Sequence, residues 1–249
     1  MNTGLNPTGR PSWTARFALR TIAVVAAFTA LATPGVCRGG PGPTPGPAGA
    51  VSASRAPSTG LSAAARTGPP DLVMIVRHGE KPDGNAPGVD ADGLRDSGSL
   101  TATGWERAHR LVDLFDPAQG PTRPGLARPV AIYAAGATDD GEGTRTRETV
   151  APLADHLGVA VDTDFGSGEE KTLVRHVLAG PGPALISWQH EEIPAIAAAF
   201  PNVSPPPPSE WPDDRFDVVW TLTRTADGWH FAQVPELALP GDGAGVIED

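Results

Sequence analysis

Cysteine is nearly absent from this 249-residue chain: Cys37 is the only one. No internal disulfide can staple the fold, and a site built on paired thiolates is excluded. Acidic residues and lysines are missing before Asp71, a stretch that carries six arginines. The rest of the chain holds 13 basic against 29 acidic residues, a formal charge of −16 compared with −10 overall. Such a field repels nucleic acid and anionic lipid, so an anion site has to be a local basic pocket. A long hydrophobic run is also missing. Thr21 to Ala32 is apolar and uncharged but too short to span a bilayer comfortably. There is no P-loop and no Gly-x-Ser-x-Gly elbow. His190-Glu191-Glu192-Ile193-Pro194 lacks the second histidine of a zinc-binding helix, which argues against a metal centre.

The apolar stretch follows Arg10, Arg16 and Arg20 and ends in Ala30-Leu31-Ala32, the arrangement of a signal peptide with cleavage near Ala32. Residues 1–32 are therefore read as an export signal, with an uncleaved anchor as the alternative. Val36 stands before Cys37 where a lipoprotein signal places a small residue, so lipidation is not expected. Residues 33–70 are dominated by Pro, Gly, Ala, Ser and Thr and cannot bury enough apolar surface to offset their ordering entropy; they read as a flexible leader. The folded unit is expected over 71–249, and its roughly 180 residues can build a core without a staple.

Within that unit, short aliphatic runs alternate with amphipathic segments, the pattern of an α/β layered fold with a largely parallel sheet. Strands are expected at Leu72 to Val76, Val130 to Ala134, Val159 to Val161 and Ala184 to Trp188. Thr101 caps a helix to Phe115 that buries Trp105, Ala108, Leu111, Val112 and Phe115. Further helices are expected from Thr144 to Leu157, stopped by Gly158, from Glu169 to Leu178, and over Ile193 to Phe200. The proline-rich stretch from Pro201 to Pro212 reads as an irregular surface loop. Phe216 to Thr223 and Trp229 to Val234 form a C-terminal β-hairpin. Gly241-Asp242-Gly243-Ala244-Gly245 is read as flexible chain.

The first strand ends in Arg77-His78-Gly79-Glu80, which delivers an arginine and a histidine to the carboxyl edge of a parallel sheet, where ligands bind in open α/β folds. Gly79 permits a tight exit and close approach of backbone to a ligand. A neutral imidazole is a competent nucleophile near pH 7, and arginine presents paired, permanently charged donors that match phosphoryl oxygens. Asp162-Thr163-Asp164 would suit an aspartate nucleophile, but two aspartates in an acidic chain are a weak signal.

Arg-His-Gly after a first strand resembles the hallmark of the histidine phosphatase superfamily. Leu100-Thr101-Ala102-Thr103-Gly104 is similar to its Leu-Thr-x-x-Gly helix start, and Arg145-Thr146-Arg147-Glu148-Thr149 to its Arg-Ala-x-Gln-Thr segment. His190 falls where the family places its second histidine. The resemblance implies a three-layer α/β/α sandwich of the phosphoglycerate mutase-like type. It also implies His78 as the nucleophile that becomes a phosphohistidine, Arg77 and Arg145 as phosphate ligands, and His190 as a donor to the transferring group. Arg147 competes with Arg145 for its role, and His190 could instead be a core histidine. No metal or organic cofactor is implied.

A leaving alkoxide needs a proton. Glu191 is the first choice, because the acid-phosphatase and phytase branch keeps an acidic residue after its second histidine, although a carboxylate at a helix start would sit there equally well. Glu169 or Glu170 stands nearer the place where mutase-like members keep their acid; Glu80 and Glu192 are weaker choices. Trp188 and Trp220 read as packing residues, with Trp188 close enough to His190 to line the pocket. The reading is an exported phosphomonoester hydrolase acting on a small phosphorylated substrate. Its rivals are a phosphomutase of the same family, which export disfavours, and a catalytically weak protein that binds a phosphorylated ligand.

Overall fold

The computed structural model describes residues 68–136 and 142–249. The expected signal segment 1–32 and the leader up to residue 67 lie outside the described residues. Four strands carry the centre of the sheet: β1 (Leu72–Arg77), β2 (Ala131–Ala134), β3 (Val161–Asp162) and β4 (Ala184–Trp188). They are all parallel, in the order β3-β2-β4-β1. β4 lies between β1 and β2 with all five residues buried, which is why Ala184 to Trp188 reads as continuously apolar up to Ser187. Beyond β1 come β6 (Val218–Arg224), antiparallel to it, then β7 (Trp229–Pro235) and β5 (Val203–Ser204). The expected hairpin is thus β6 and β7, and it continues the main sheet.

Both faces of the sheet are covered. Alternation along β1 sends Met74 and Val76 to one side, where they pack with Leu111 and Phe115 of α1 (Ala102–Phe115) and Val150 and Leu153 of α2 (Glu142–Leu157). Val73 and Ile75 face the other side. There they meet Leu173 and Val177 of α3 (Glu170–Ala179) and Ile193 and Ile196 of α4 (Ile193–Ala198). This is the expected three-layer α/β/α sandwich with a largely parallel sheet. Among the described residues no helix is long and apolar enough to cross a membrane.

Three local expectations are corrected. In α1 the buried face holds Arg107 and Leu114, while Trp105 and Val112 stay only half-buried; Trp105 Nε1 instead donates to the Val89 carbonyl at 2.8 Å and holds down the loop before the helix. The stretch 201–212 contains β5, because the pairing of Val203 with Trp229 on β7 supplies order that two residues among prolines do not signal. The glycine-rich tail is packed: the Asp242 carboxylate accepts from the backbone N–H of Ala238 and Leu239 and from Arg107, and Gly243 N–H donates to Asp217.

Candidate active site

β1 and β4 stay in register to their carboxyl ends, where Arg77 pairs with Trp188 and the His78 N–H donates to the Trp188 carbonyl at 3.1 Å. The two motif histidines therefore leave adjacent strands side by side. Gly79 N–H donates to Thr149 Oγ1 at 2.8 Å, and that hydroxyl donates to the Arg145 carbonyl at 2.8 Å, so α2 is fastened to the exit of β1. Helix α1 approaches equally closely. A Cβ on Gly79 would lie 3.0 Å from the Gly104 carbonyl, and one on Gly104 would lie 2.8 Å from the Glu80 carbonyl. Those two motif glycines exist at a backbone-to-backbone contact that no side chain fits. Thr101 completes the junction: its N–H donates to the Glu80 carbonyl, and its hydroxyl caps α1 by accepting from Gly104.

His78 is 3% exposed. Its Nδ1 lies 2.7 Å from the Gly79 carbonyl; a carbonyl can only accept, so Nδ1 carries the hydrogen and Nε2 keeps a free lone pair. Burial pushes the imidazole down to about 3; the Gly79 hydrogen bond opposes this, and the charges of Arg77, Arg145 and Lys81 add to it. The ring is neutral at physiological pH.

Arg77 is anchored on one edge and bare on the other. Nη1 donates to the carbonyls of Pro212, Asp213 and Arg215 at 3.1, 2.6 and 3.1 Å, and the guanidinium carbon lies 3.9 Å from the Phe216 ring centroid. Among the described residues, Nε and Nη2 are buried without a hydrogen-bond partner. Unpaired buried donors cost on the order of 1–3 kcal/mol each, and burial lowers the Arg77 guanidinium to about 10 against the pull of Asp213 and Glu191. Arg145 is similar: it is buried, its Nη1 donates to the Gly98 carbonyl at 3.4 Å, and among the described residues its Nε has no hydrogen-bond partner. Arg147 is exposed, so of the two arginines it is Arg145 that turns inward.

His190 is also buried. Asp213 Oδ1 lies 2.7 Å from its Nε2 and Glu191 Oε2 lies 2.8 Å from its Nδ1, both as close ion-pair contacts. Burial, then Arg77, lowers this imidazole, while Glu191 and Asp213 resist. His190, Glu191 and Asp213 are the one trio among the described residues whose ligand atoms lie within 4.8 Å of one another. Their two carboxylates, however, approach opposite nitrogens of a single ring, whereas a mononuclear centre gathers its ligands around one point.

The other carboxylates expected near the site are engaged elsewhere. Glu80 is paired with Arg107 at 2.8 Å. Glu169 and Glu170 accept backbone N–H groups of Gly166 and Gly168 in the loop entering α3. Glu192 receives Trp188 Nε1 at 2.8 Å and the Ser167 hydroxyl, and Trp188 is wholly buried as a packing residue. Glu148 accepts Ser99 Oγ and Leu100 N–H, with burial raising its carboxyl, and so ties the motif helix to the end of the 81–99 loop. That loop is exposed over much of its length and tied by its own aspartates, Asp83, Asp90 and Asp96.

Sequence reasoning missed Lys81 and Asp213. Lys81 lowers the proton affinity of both His78 and His190, and its signal was available: it is one of two lysines in the chain, three residues past His78. Asp213 had no signal, because it follows a proline-rich segment and reaches the site only through tertiary contact.

No protein-family model matches the chain, and no curated protein matches it. Among solved structures, it is similar to a candidate phosphohistidine phosphatase, SixA, from Agrobacterium tumefaciens. The two are 16% identical over 66% of this chain and 95% of that one, with a TM-score of 0.35. A likeness that distant says nothing of what this chain does.

Proposed function

We propose that the chain is an exported phosphomonoester hydrolase that works through a phosphohistidine on His78. One observation carries the reading: a neutral imidazole with Nε2 free, set beside two buried arginines that among the described residues leave Nε and Nη2 of Arg77 and Nε of Arg145 without a hydrogen-bond partner. A phosphoryl group satisfies those donors with charge-assisted hydrogen bonds. The chemistry then follows from position. Nε2 of His78 attacks phosphorus in line, the ester oxygen departs with a proton, and water attacks the phosphohistidine to release inorganic phosphate and restore the imidazole. Arg77, Arg145 and Lys81 stabilise charge on the nonbridging oxygens, and His190 Nε2 donates to one of them; in phosphoryl transfer such positioning and electrostatics supply most of the acceleration. The arginine-led apolar stretch before Ala32 supports export, and an exported enzyme meets water, not a metabolic acceptor, as its second substrate.

The test compares the full chain with His78→Ala on 4-nitrophenyl phosphate in the presence of chelator. Hydrolysis that survives the chelator and is lost in the variant is expected, together with an acid-labile phosphoryl label on the wild-type chain alone. Absence of hydrolysis, or equal rates in both proteins, would falsify the reading and favour a phosphate-binding module.

A further inference from the structure

The oxygen best placed among the cationic groups of the site belongs to the protein itself. Asp213 Oδ1 lies 2.7 Å from His190 Nε2, 3.8 Å from Lys81 Nζ and 4.0 Å from Arg77 Nη2. A phosphoryl oxygen would settle among the same three donors. Asp213 is anchored there through its backbone, since its carbonyl accepts from Arg77 Nη1 at 2.6 Å, yet its side chain is 80% exposed. The carboxyl thus stands at the solvent-exposed mouth of the site on a main chain held by Arg77. His78 lies at the buried end, so in-line attack points the leaving oxygen outward, toward that mouth.

We propose that Asp213 is the residue that protonates the leaving group. This rests on the phosphatase reading of the site. An arriving phosphoryl dianion displaces the carboxylate from the three donors, and the displaced carboxylate, which faces solvent, takes up a proton there. As the His78 Nε2–P bond forms and the P–O ester bond breaks, the Asp213 proton moves to the departing oxygen and gives the free alcohol. In the second half, the Asp213 carboxylate takes a proton from the attacking water, whose oxygen bonds to phosphorus as the N–P bond breaks. Hydrogen phosphate leaves, and both His78 and the Asp213 acid are restored. Glu191 has a different task. Its carboxylate lies against Nδ1, on the opposite edge of the His190 ring from Asp213, and so faces away from the leaving oxygen.

The experiment sets a leaving group that needs a proton against one that does not. Phenol, with a pKa of about 10 like the tyrosine side chain, departs poorly as an anion, whereas 2,4-dinitrophenolate departs readily. In the full chain, Asp213→Asn is expected to lower kcat/KM for phenyl phosphate by about 10²-fold or more, as loss of a general acid does, and to leave 2,4-dinitrophenyl phosphate nearly unchanged. Asp213→Glu, which keeps the acid, is expected to recover part of the phenyl phosphate activity, and Glu191→Gln to leave the ratio of the two substrates as in the wild type. Equal losses on both esters in Asp213→Asn would reduce Asp213 to a loop anchor and overturn the assignment. So would a leaving-group-selective loss in Glu191→Gln. A wild-type chain inactive on both esters overturns the phosphatase reading itself, and the assignment with it.

Discussion

Replacing Arg107 by methionine is expected to destabilise the fold severely, and more so as pH rises. Arg107 is buried in α1, and its guanidinium meets three carboxylates: Glu80 at 2.8 Å, Glu236 at 2.9 Å and Asp242 at 2.9 Å. It therefore ties the loop that follows His78 to the helix and to the C-terminal tail. Burial works against its charge, but the hydrogen bonds to Asp242 and Glu80 and the field of Glu236 outweigh it and raise its proton affinity. Methionine fills similar volume and leaves three carboxylates without their counter-ion. Breaking a buried pair on one side costs about 3–5 kcal/mol, which for a domain of this size corresponds to a fall of about 6–20 °C in Tm.

The pH dependence comes from Glu236, which burial pushes up to about 7 although Arg107 pulls it down. The folded chain therefore binds more protons at this residue than the unfolded chain between the ordinary value of about 4.5 and 7. Stability from this group is full below about 4.5 and falls as pH rises to 7. Without Arg107 the carboxyl keeps its proton to still higher pH, so the deficit of the variant against wild type is larger at pH 8 than at pH 5. Urea unfolding followed by circular dichroism at both pH values measures it. A loss below about 1 kcal/mol at pH 8, where a surface pair would lie, or the same loss at both values, refutes the account.

Two further outcomes are expected. Gly104→Ala brings a Cβ to 2.8 Å from the Glu80 carbonyl and 3.0 Å from its N–H. Because the neighbours are backbone, the overpacking should cost about 1–3 kcal/mol and shift His78, so the hydrolysis proposed for that residue should slow in an otherwise folded protein; wild-type rate and stability together would show that the contact is dispensable. The ¹⁵N resonances of His78 should report the neutral, Nδ1-protonated ring from pH 7.5 down to pH 5, since its folded value is about 3 against an ordinary 6.5. The unfolded chain then binds the extra proton, so stability contributed at this residue is lost as pH falls from 6.5 toward 3; a His78 titration midpoint near 6.5 would contradict the burial argument.

Much of this protein was decided locally and could be read from the chain. The continuous apolar run Leu72 to Val76, the apolar Ala184 to Ile186 before Ser187 and Trp188, and the Thr101 cap with Gly104 each express a single element's need to bury its faces or satisfy its end. Those needs placed His78 and His190 at the carboxyl edge of two strands. What the chain alone left open involved choices between distant partners. Whether Arg145 or Arg147 turns inward depends on where α2 lands against Gly79, and Glu80 is withdrawn from the site by Arg107. The tail is ordered because Asp242 reaches that same arginine. Asp213 arrives beside His190 only because three carbonyls of its loop bind an arginine some 135 positions away. Periodicity records that a face is buried; it carries no information on which remote group the face will meet. That was settled by the tertiary fold, where a charge drawn out of water had to find its partner.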